Sequence, residues 1–329
     1  MRAEPAAFAA LATASIVIVT MRLFGSYELQ DDAPLPLLRP QLFGRPLSDE
    51  TPVMVLLSGW PDDHSMWAPQ VAEFGDHYHV VSMSTPDFDR NGLRRRWGYN
   101  FTEVPQMIAA GLDAHLGPER QVDVLIGHDW GALWAFYLVQ RAPPSRFTRL
   151  IAVDIGSSSH DEALALNDIP GIDQSTTFSV PYQLLCASLF WVGTTLSPEA
   201  AATLLELAWH LVPYVGPMDP DFDWHVHAPR PRAQVQWWMG YPYFHLWRLK
   251  AAGRPLPFAA FPKGTPTLFI HGAKKRAQFH SDAFLARLEA TRGSRAVRYE
   301  RSAHWVMHEE PARFNADVRA FVAEGEYML

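Results

Sequence analysis

The stretch Ile126–Ala132 reads IGHDWGA, and it decides the fold because of what lies on either side of it. Residues 122–126, VDVLI, predict a buried strand, and residues 132–140 predict a helix. A strand, a sharp turn and a helix in this order form the context of a nucleophile elbow. The glycines of the turn permit a strained backbone and close packing of the helix against the strand. We therefore expect Asp129 at the apex of the turn.

Asp129 puts a carboxylate where many hydrolases have a nucleophilic serine. A carboxylate that attacks carbon forms an alkyl ester with the enzyme, so its natural electrophiles are epoxides and alkyl halides rather than esters or amides. An aspartate here could instead only cap the helix that follows. The other motifs of the chain favour the nucleophile.

Composition narrows the classes of function. The chain has 329 residues, 48% of them hydrophobic, which is enough for one large α/β domain with an inserted subdomain. A net charge of -7 argues against nucleic-acid binding. The single cysteine, Cys186, excludes an internal disulfide and a multi-cysteine metal site, and the histidines lack a metal-ligand spacing. We expect no metal, no cofactor and no nucleic acid, and as partners a small apolar organic substrate and water; the sequence does not indicate an oligomeric state.

The N-terminal residues 1–25 contain a charge-free run, residues 5–21, between Arg2 and Arg22. Its length is at the lower limit for spanning a bilayer, and its many alanines make it weakly apolar. A membrane anchor, a buried helix or strand, and a signal peptide all remain open. The expected location is accordingly cytoplasmic or membrane-associated.

The rest of the chain alternates between strand-like and helix-like segments, which predicts an α/β fold with a mostly parallel central sheet. Residues 157–262 interrupt the alternation, because they contain many aromatic residues and no convincing strand. We interpret them as a helical insertion between a first core part, 26–156, and a second core part, 263–329. The predicted strands are 53–58, 79–84, 122–126, 150–154, 267–271 and 296–299, and the predicted helices are 66–74, 102–116 with Asn100 as its cap, 132–140, 281–291 and 311–324.

Three motifs occur in a fixed order. Residues 58–62 read SGWPD, similar to an H-G-[FW]-P-[ED] turn; residues 127–131 read GHDWG; and residues 303–305 read AHW. With these motifs the chain resembles the α/β-hydrolase fold superfamily over about residues 52–329, and within it the epoxide hydrolase and haloalkane dehalogenase branch with an aspartate nucleophile. A nucleophile, a helical insertion and then a histidine is also the order of that family.

The resemblance implies that Asp129 attacks the substrate and that His304 activates the water that hydrolyses the ester. His308 could compete for the role of the base, but the AHW context favours His304. The resemblance also implies an oxyanion hole formed by the backbone N–H groups of Trp60 and Trp130. Ser58 replaces the usual histidine of the first motif, and because the oxyanion contact is a backbone one, we expect this change to affect local hydrogen bonding more than chemistry.

The acid that orients the histidine is the largest departure from the family. Its usual place lies a few residues after Gly272, but residues 273–276 read AKKR and are basic. Some haloalkane dehalogenases carry the acid one strand earlier, which would be Asp154. Asp154, Asp282 and no acid at all remain open, and Asp154 is favoured.

Epoxide opening and dehalogenation differ in how the leaving atom is stabilised. Epoxide hydrolases resemble one another in supplying two tyrosines from the insertion, whereas dehalogenases use N–H donors, commonly the Trp after the nucleophile with an Asn or a second Trp. The chain has Trp60 where many dehalogenases have Asn. We choose Tyr182 and Tyr241 as the pair, with Tyr243 as the neighbour that could replace Tyr241. The favoured function is an epoxide hydrolase; the alternatives are a haloalkane dehalogenase, another hydrolase and a catalytically inactive binding protein of the same fold.

Overall fold

The computed structural model describes residues 33–157, 172–210, 218–219, 221–252, 254 and 264–326. The predicted N-terminal unit 1–25, with its apolar run 5–21, lies outside the described residues. None of the helices within the described ranges has the length and apolar character needed to span a bilayer.

Seven strands form one sheet in the order β1-β3-β2-β4-β5-β6-β7. Strand β1 pairs antiparallel with β3, and every other neighbouring pair is parallel. The fold is therefore an α/β fold with a mostly parallel sheet, as predicted. The strands are β1 Gln41–Gly44, β2 Val53–Leu57, β3 His79–Met83, β4 Val124–His128, β5 Leu150–Val153, β6 Thr267–Gly272 and β7 Arg295–Tyr299.

Helices connect the strands and also fill the region between β5 and β6. The α-helices are α1 Ala68–Phe74, α2 Glu103–Leu116, α3 Trp130–Arg141, α4 Ile172–Thr195, α5 Pro198–Ala208, α6 Trp224–His227, α7 Tyr241–Ala251, α8 Asp282–Glu289, α9 Val306–Glu309 and α10 Pro311–Glu326. Short 3-10 helices cover His64–Trp67, Arg232–Gln234 and Trp237–Gly240.

The central strands are buried along their whole length. All residues of β2, β4, β5 and β6 are buried, as expected for parallel strands covered by helices on both faces. Because these strands have near-continuous apolar sequences, the alternation of strands and helices could be predicted from the sequence. Asn100 caps α2 as predicted, because its side-chain oxygen accepts from the backbone N–H groups of Thr102 and Glu103 at 2.9 and 3.0 Å.

The topology gathers four loops at one edge of the sheet. Strand β3 lies on one side of β2 and β4 lies on the other, so the strand order reverses at β2. Ligands of open parallel sheets bind at the carboxyl ends of the strands next to such a switch. The three sequence motifs follow the carboxyl ends of β2, β4 and β7, and Asp154 follows β5.

The described residues between β5 and β6 are helical or irregular and contain no strand. Helices α4 and α7 pack on each other through aromatic rings: Phe190 contacts Phe244 at a centroid distance of 5.2 Å. Trp97, in the loop after β3, stacks on Phe244 at 5.6 Å. These contacts agree with a helical insertion beside the carboxyl edge of the sheet. The division at 156/157 and 262/263 stays a prediction, and residues 255–263 lie outside the described ranges.

Candidate active site

Asp129 lies between β4 and α3 in a left-handed conformation, with φ 55° and ψ -124°. An L residue adopts such angles at a cost, so the surroundings must hold them. A Cβ on Gly131 would lie 2.2 Å from the carbonyl oxygen of Leu57, and one on Gly127 would lie 2.3 Å from that of Gly131. Only glycine fits at these two positions, and the turn has the sharp strand–turn–helix geometry that a nucleophile elbow requires.

The two oxygens of the Asp129 carboxylate have different partners. Oδ1 accepts a hydrogen bond from the backbone N–H of Trp60 at 2.7 Å, and Oδ2 lies 3.5 Å from Nε2 of His304. The approach of Trp60 depends on Gly59, whose added Cβ would lie 2.6 Å from Oδ1. One oxygen is therefore held by the backbone, and the other faces the imidazole of His304.

His304 follows β7 and is bound by Asp154, which follows β5. Nδ1 of His304 hydrogen-bonds to Oδ2 of Asp154, and both side chains are buried. Burial lowers the pKa of His304, but the carboxylates of Asp154 and Asp129 outweigh it and raise that pKa to about 9. In the resting enzyme the imidazole is a cation between two carboxylates at neutral pH.

Asp154 has a second partner that sequence reasoning did not identify. Its Oδ1 accepts from Nζ of Lys275 and, at 3.3 Å, from the backbone N–H of Gly272. Both the Lys275 and the Asp154 side chains are fully buried. Burial raises the pKa of Asp154, but Lys275 and His304 together hold it well below its usual range. The basic stretch that takes the usual place of the acid thus contributes a cation to the acid from the neighbouring strand.

The other candidates for the base and the acid lie elsewhere. Asp282 is the first residue of α8, after the capping residue Ser281, and belongs to the first turn of that helix. His308 lies in α9, where its backbone N–H donates to the carbonyl oxygen of Trp305 at 2.9 Å. The structure brings His304 and Asp154 together with Asp129, and it does not bring Asp282 or His308 into this hydrogen-bonded set.

The predicted tyrosine pair needs a correction. Tyr182 lines the cavity above Asp129, but Tyr241 does not: its ring is fully buried, and its hydroxyl donates to the carbonyl oxygen of Pro86 at 3.1 Å. The second tyrosine at the cavity is Tyr243, whose ring lies 5.6 Å from that of Tyr182. The choice of Tyr241 is thus not supported by the geometry, and Tyr243 takes its place.

The phenols of Tyr182 and Tyr243 are hydrogen-bonded to each other. Burial and the nearby Asp129 carboxylate raise the pKa of both phenols well above their usual range. Both are therefore protonated at neutral pH and can donate hydrogen bonds. Trp60 packs edge-on against Tyr243 at a centroid distance of 5.5 Å, which helps to hold that ring in place.

A cavity of about 100 Å³ connects these groups. Its lining is mostly apolar and aromatic, with Asp129, His304, Asp219 and Arg232 as the charged or titratable groups besides the tyrosines and Cys186. An apolar cavity with a few convergent polar groups is the usual form of a small-molecule site. The lining residues are Trp60, Asp129, Tyr182, Leu185, Cys186, Leu189, Leu205, Ala208, Trp209, Met218, Asp219, Phe222, Trp224, Arg232, Tyr243, Phe279, His304 and Trp305.

Asp62, in the first motif, is a further buried acid near the site. Its Oδ2 accepts from the indole Nε1 of Trp305 at 2.7 Å, and burial raises the pKa of Asp62 to about 7. The bond holds Trp305 next to His304, with ring centroids 4.8 Å apart. The motif contained this residue, but nothing in the sequence indicated its partner.

Trp130 begins α3 directly after Asp129, where a backbone N–H can serve an oxyanion, as the sequence predicts. Its side chain is not part of the cavity wall. The ring stacks on Trp134 at 5.8 Å, and within the described part of the chain its indole Nε1 is buried without a hydrogen-bond partner. Ser58 is also buried, and its hydroxyl has no partner among the described residues.

The chain is similar in sequence to known proteins. The family model of the alpha/beta hydrolase fold matches residues 52–184. Epoxide hydrolase 3 of Xenopus tropicalis is 25% identical over 294 residues, which cover 83% of this chain and 72% of that protein. Epoxide hydrolase 1 of Caenorhabditis elegans is 27% identical over 105 residues, 29% of this chain and 23% of that protein. The match therefore spans about a quarter of the length of the worm protein.

Solved structures show the same fold. The epoxide hydrolase of Bacillus megaterium in complex with an inhibitor superimposes with a TM-score of 0.57 over 87% of this chain and 96% of that chain, at 16% sequence identity. At this identity the likeness establishes the α/β-hydrolase fold and not the reaction.

Proposed function

Because this chain has the α/β-hydrolase fold, we propose that it is a hydrolase that opens epoxides to vicinal diols through an ester on Asp129. The proposal extends to the mechanism: His304 is the base of the second step, Asp154 orients it, and Tyr182 and Tyr243 bind the epoxide oxygen. The similarity to the epoxide hydrolases of Xenopus tropicalis and Caenorhabditis elegans supports the substrate class.

The observation that carries the proposal is the pair of phenols, Tyr182 and the buried Tyr243, in the same cavity as the Asp129 carboxylate. An epoxide oxygen becomes an alkoxide as the ring opens, and O–H donors stabilise developing negative charge on oxygen. One phenol donates to the other, and the pKa of both lies above the usual range, so both are protonated at neutral pH. Nucleophile and donors thus line one cavity, so that both can contact one bound epoxide.

In the first step, Oδ2 of Asp129 attacks an epoxide carbon and forms the carbon–oxygen bond of the ester. Oδ1 cannot take this role as readily, since the Trp60 N–H donates to it at 2.7 Å. The ring carbon–oxygen bond breaks, and the leaving oxygen takes a proton from one of the two tyrosines. The product of this step is an ester on Asp129 and a phenolate stabilised by the second phenol.

In the second step, Nε2 of His304 takes a proton from a water molecule whose oxygen attacks Cγ of Asp129. The oxyanion forms on Oδ1, where the Trp60 N–H already donates. The intermediate then expels the diol oxygen, which takes the proton from His304. The other water proton remains on the Asp129 carboxyl group and passes to His304, which restores the resting carboxylate and imidazolium, so the atoms balance as epoxide plus water.

The charge of Asp129 links the two steps. The pKa of His304 is about 9 in the resting enzyme, with Asp129 among the groups that raise it. Ester formation removes the negative charge of Asp129, so that pKa falls and a neutral imidazole becomes accessible at neutral pH. The imidazolium then gives its proton, through water, to the phenolate formed in the first step, so the histidine becomes a base only after Asp129 has reacted.

Dehalogenation is less well supported by the site. A halide would need N–H donors that face the cavity, and the indole of Trp130 lies outside its wall, packed on Trp134. The inactive alternative is also disfavoured, since the hydrogen-bonded series of Asp129, His304 and Asp154 is intact.

Turnover of a panel of epoxides and haloalkanes in ¹⁸O-labelled water tests the proposal. In a single turnover with excess enzyme, the diol should contain unlabelled oxygen from Asp129, and the label should remain on the peptide that carries Asp129. Label in the diol of that first turnover would mean direct attack by water and would contradict the ester. Turnover of haloalkanes alone would favour the dehalogenase.

A further inference from the structure

We propose that Lys275 is a positioning residue that balances the charge of Asp154 so that His304 can act as a base during ester hydrolysis. The proposal rests on the proposed function, because it concerns the second step of that mechanism. It assigns a role to the basic stretch after β6, which stands where the related enzymes usually place an acid.

Lys275 is held in place from several sides. Its Nζ bonds to Oδ1 of Asp154 and lies 5.0 Å from the ring centroid of Phe279. The loop that carries it is bound to the loop after β7, because the N–H groups of Ala273 and Lys274 donate to the carbonyl oxygens of Tyr299 and Ser302 at 2.9 and 3.0 Å. The ammonium group therefore cannot turn away from Asp154 to reach solvent.

Asp154 is thus shared between two cations on its two oxygens. Oδ2 bonds to Nδ1 of His304, and Oδ1 bonds to Nζ of Lys275. In the resting enzyme, Asp129 and Asp154 supply two negative charges, and Lys275 and a protonated His304 supply two positive ones. The buried set is neutral overall, so the attraction between its opposite charges offsets much of the cost of desolvating them.

Ester formation removes the negative charge of Asp129 from this buried set of charges. Once the proton of His304 has passed to the phenolate, the ester of Asp129 is neutral, Asp154 and Lys275 balance each other, and the neutral form of His304 completes an uncharged set. Without Lys275, the charge of Asp154 would be unbalanced in the ester, and a protonated His304 would be favoured. A protonated imidazole cannot accept the proton of water, so hydrolysis would stall at neutral pH.

Other charged and titratable groups surround the lysine and must be considered in any pH dependence. They are Asp129 and His128 from the elbow, Asp154 after β5, His271 of β6 with the nearby His280, Arg298 of β7, and His304 and Glu309 from the segment after β7. Burial lowers the pKa of His128, His271 and His280, so these three are neutral near pH 7 and do not replace the charge of Lys275.

The test is the pH profile of ester hydrolysis in Lys275→Met, measured by single-turnover kinetics on a preformed epoxide adduct. The midpoint of this pH profile reports the pKa of His304 in the ester. We expect it to rise by about one pH unit or more in Lys275→Met, the usual effect of removing a neighbouring charge. Hydrolysis should therefore slow about tenfold near pH 7 and recover as the pH rises. Lys275→Arg, which keeps the charge, should retain the wild-type midpoint.

A merely structural lysine would give a different result. Hydrolysis in Lys275→Met would then be slower by the same factor at every pH, with the midpoint unchanged, and this would overturn the proposal. If Lys275→Met does not fold, Lys275→Gln and direct NMR titration of the His304 ring in the adduct provide the same comparison. If the wild type forms no adduct, the proposed function itself fails; an adduct with an unmoved midpoint refutes only the role of Lys275.

Discussion

Nε2 of His304 lies 3.5 Å from Oδ2 of Asp129, on a ring whose other nitrogen bonds to Asp154. This relationship fixes which nitrogen faces the carboxylate that we propose as the nucleophile, and so which nitrogen can accept the proton of a water molecule in the second step. The predictions below follow from it and from the tyrosines across the cavity.

Replacing Asp154 by Asn should permit formation of the ester and slow its hydrolysis. The variant loses the carboxylate that orients His304 and stabilises the imidazolium, and both roles belong to the second step. Rapid-quench mass spectrometry should show the ester accumulating. Asp282→Asn is the matched control, with an expected cost of roughly 0.5 kcal/mol in stability for a first-turn charge and normal kinetics. Wild-type turnover by Asp154→Asn would reject the assignment.

Phe at Tyr182 or at Tyr243 should slow ester formation by about 10- to 1000-fold and leave ester hydrolysis nearly unchanged, because a hydrogen bond made in the transition state of ring opening is lost. Pre-steady-state kinetics separate the two steps. Tyr241→Phe is the control, since its hydroxyl bonds to the backbone of Pro86. A rate loss confined to Tyr241→Phe would show that the choice of Tyr243 is wrong.

The sequence was sufficient for six of the seven strands, because buried parallel strands have near-continuous apolar sequences. For the acid beside His304 it favoured Asp154 by resemblance to some haloalkane dehalogenases, and it left Asp282 and no acid open. Strand β1 was not predicted, because it has four residues, lies at the sheet edge and is largely exposed.

The choice between Tyr241 and Tyr243 could not be made from the sequence. Residues two apart on a helix point about 200° away from each other, and which one faces the cavity depends on how the helix is rotated by its packing. Lys275 was also missed as a partner of Asp154. A lysine in a basic stretch is ordinarily exposed, and its burial depends on an aspartate from another strand.

The stability of the enzyme should fall as the pH rises from about 6.5 to about 9. The pKa of His304 is raised from 6.5 to about 9 in the folded state, so its contribution is complete below pH 6.5 and lost as the pH passes through 9. A shift of this size corresponds to roughly 3 kcal/mol. Urea unfolding across this range measures it, and His304→Gln should remove that part of the slope. The same slope in both proteins would show that the resting histidine is not protonated.

Gly59→Ala should abolish ester formation, because the new Cβ would lie 2.6 Å from Oδ1 of Asp129 and displace the carboxylate. The loss of ester formation should be larger than the loss of stability can explain. Gly117→Ala is the control: its φ is +87° and its Cβ meets nothing within 4 Å, so it should lose stability without losing activity. Equal activity losses in the two variants would mean that stability, and not the position of Asp129, controls the rate.

Intact-protein mass spectrometry of His304→Gln after incubation with epoxides and with haloalkanes tests the central claim most directly. The variant keeps the nucleophile and lacks the base, so the ester should persist. We expect one adduct per chain that adds the whole mass of the epoxide and is absent from Asp129→Asn. An adduct of the haloalkane mass minus hydrogen halide would instead identify a dehalogenase. No adduct from either panel, together with no turnover by the wild type, would contradict an aspartate nucleophile altogether.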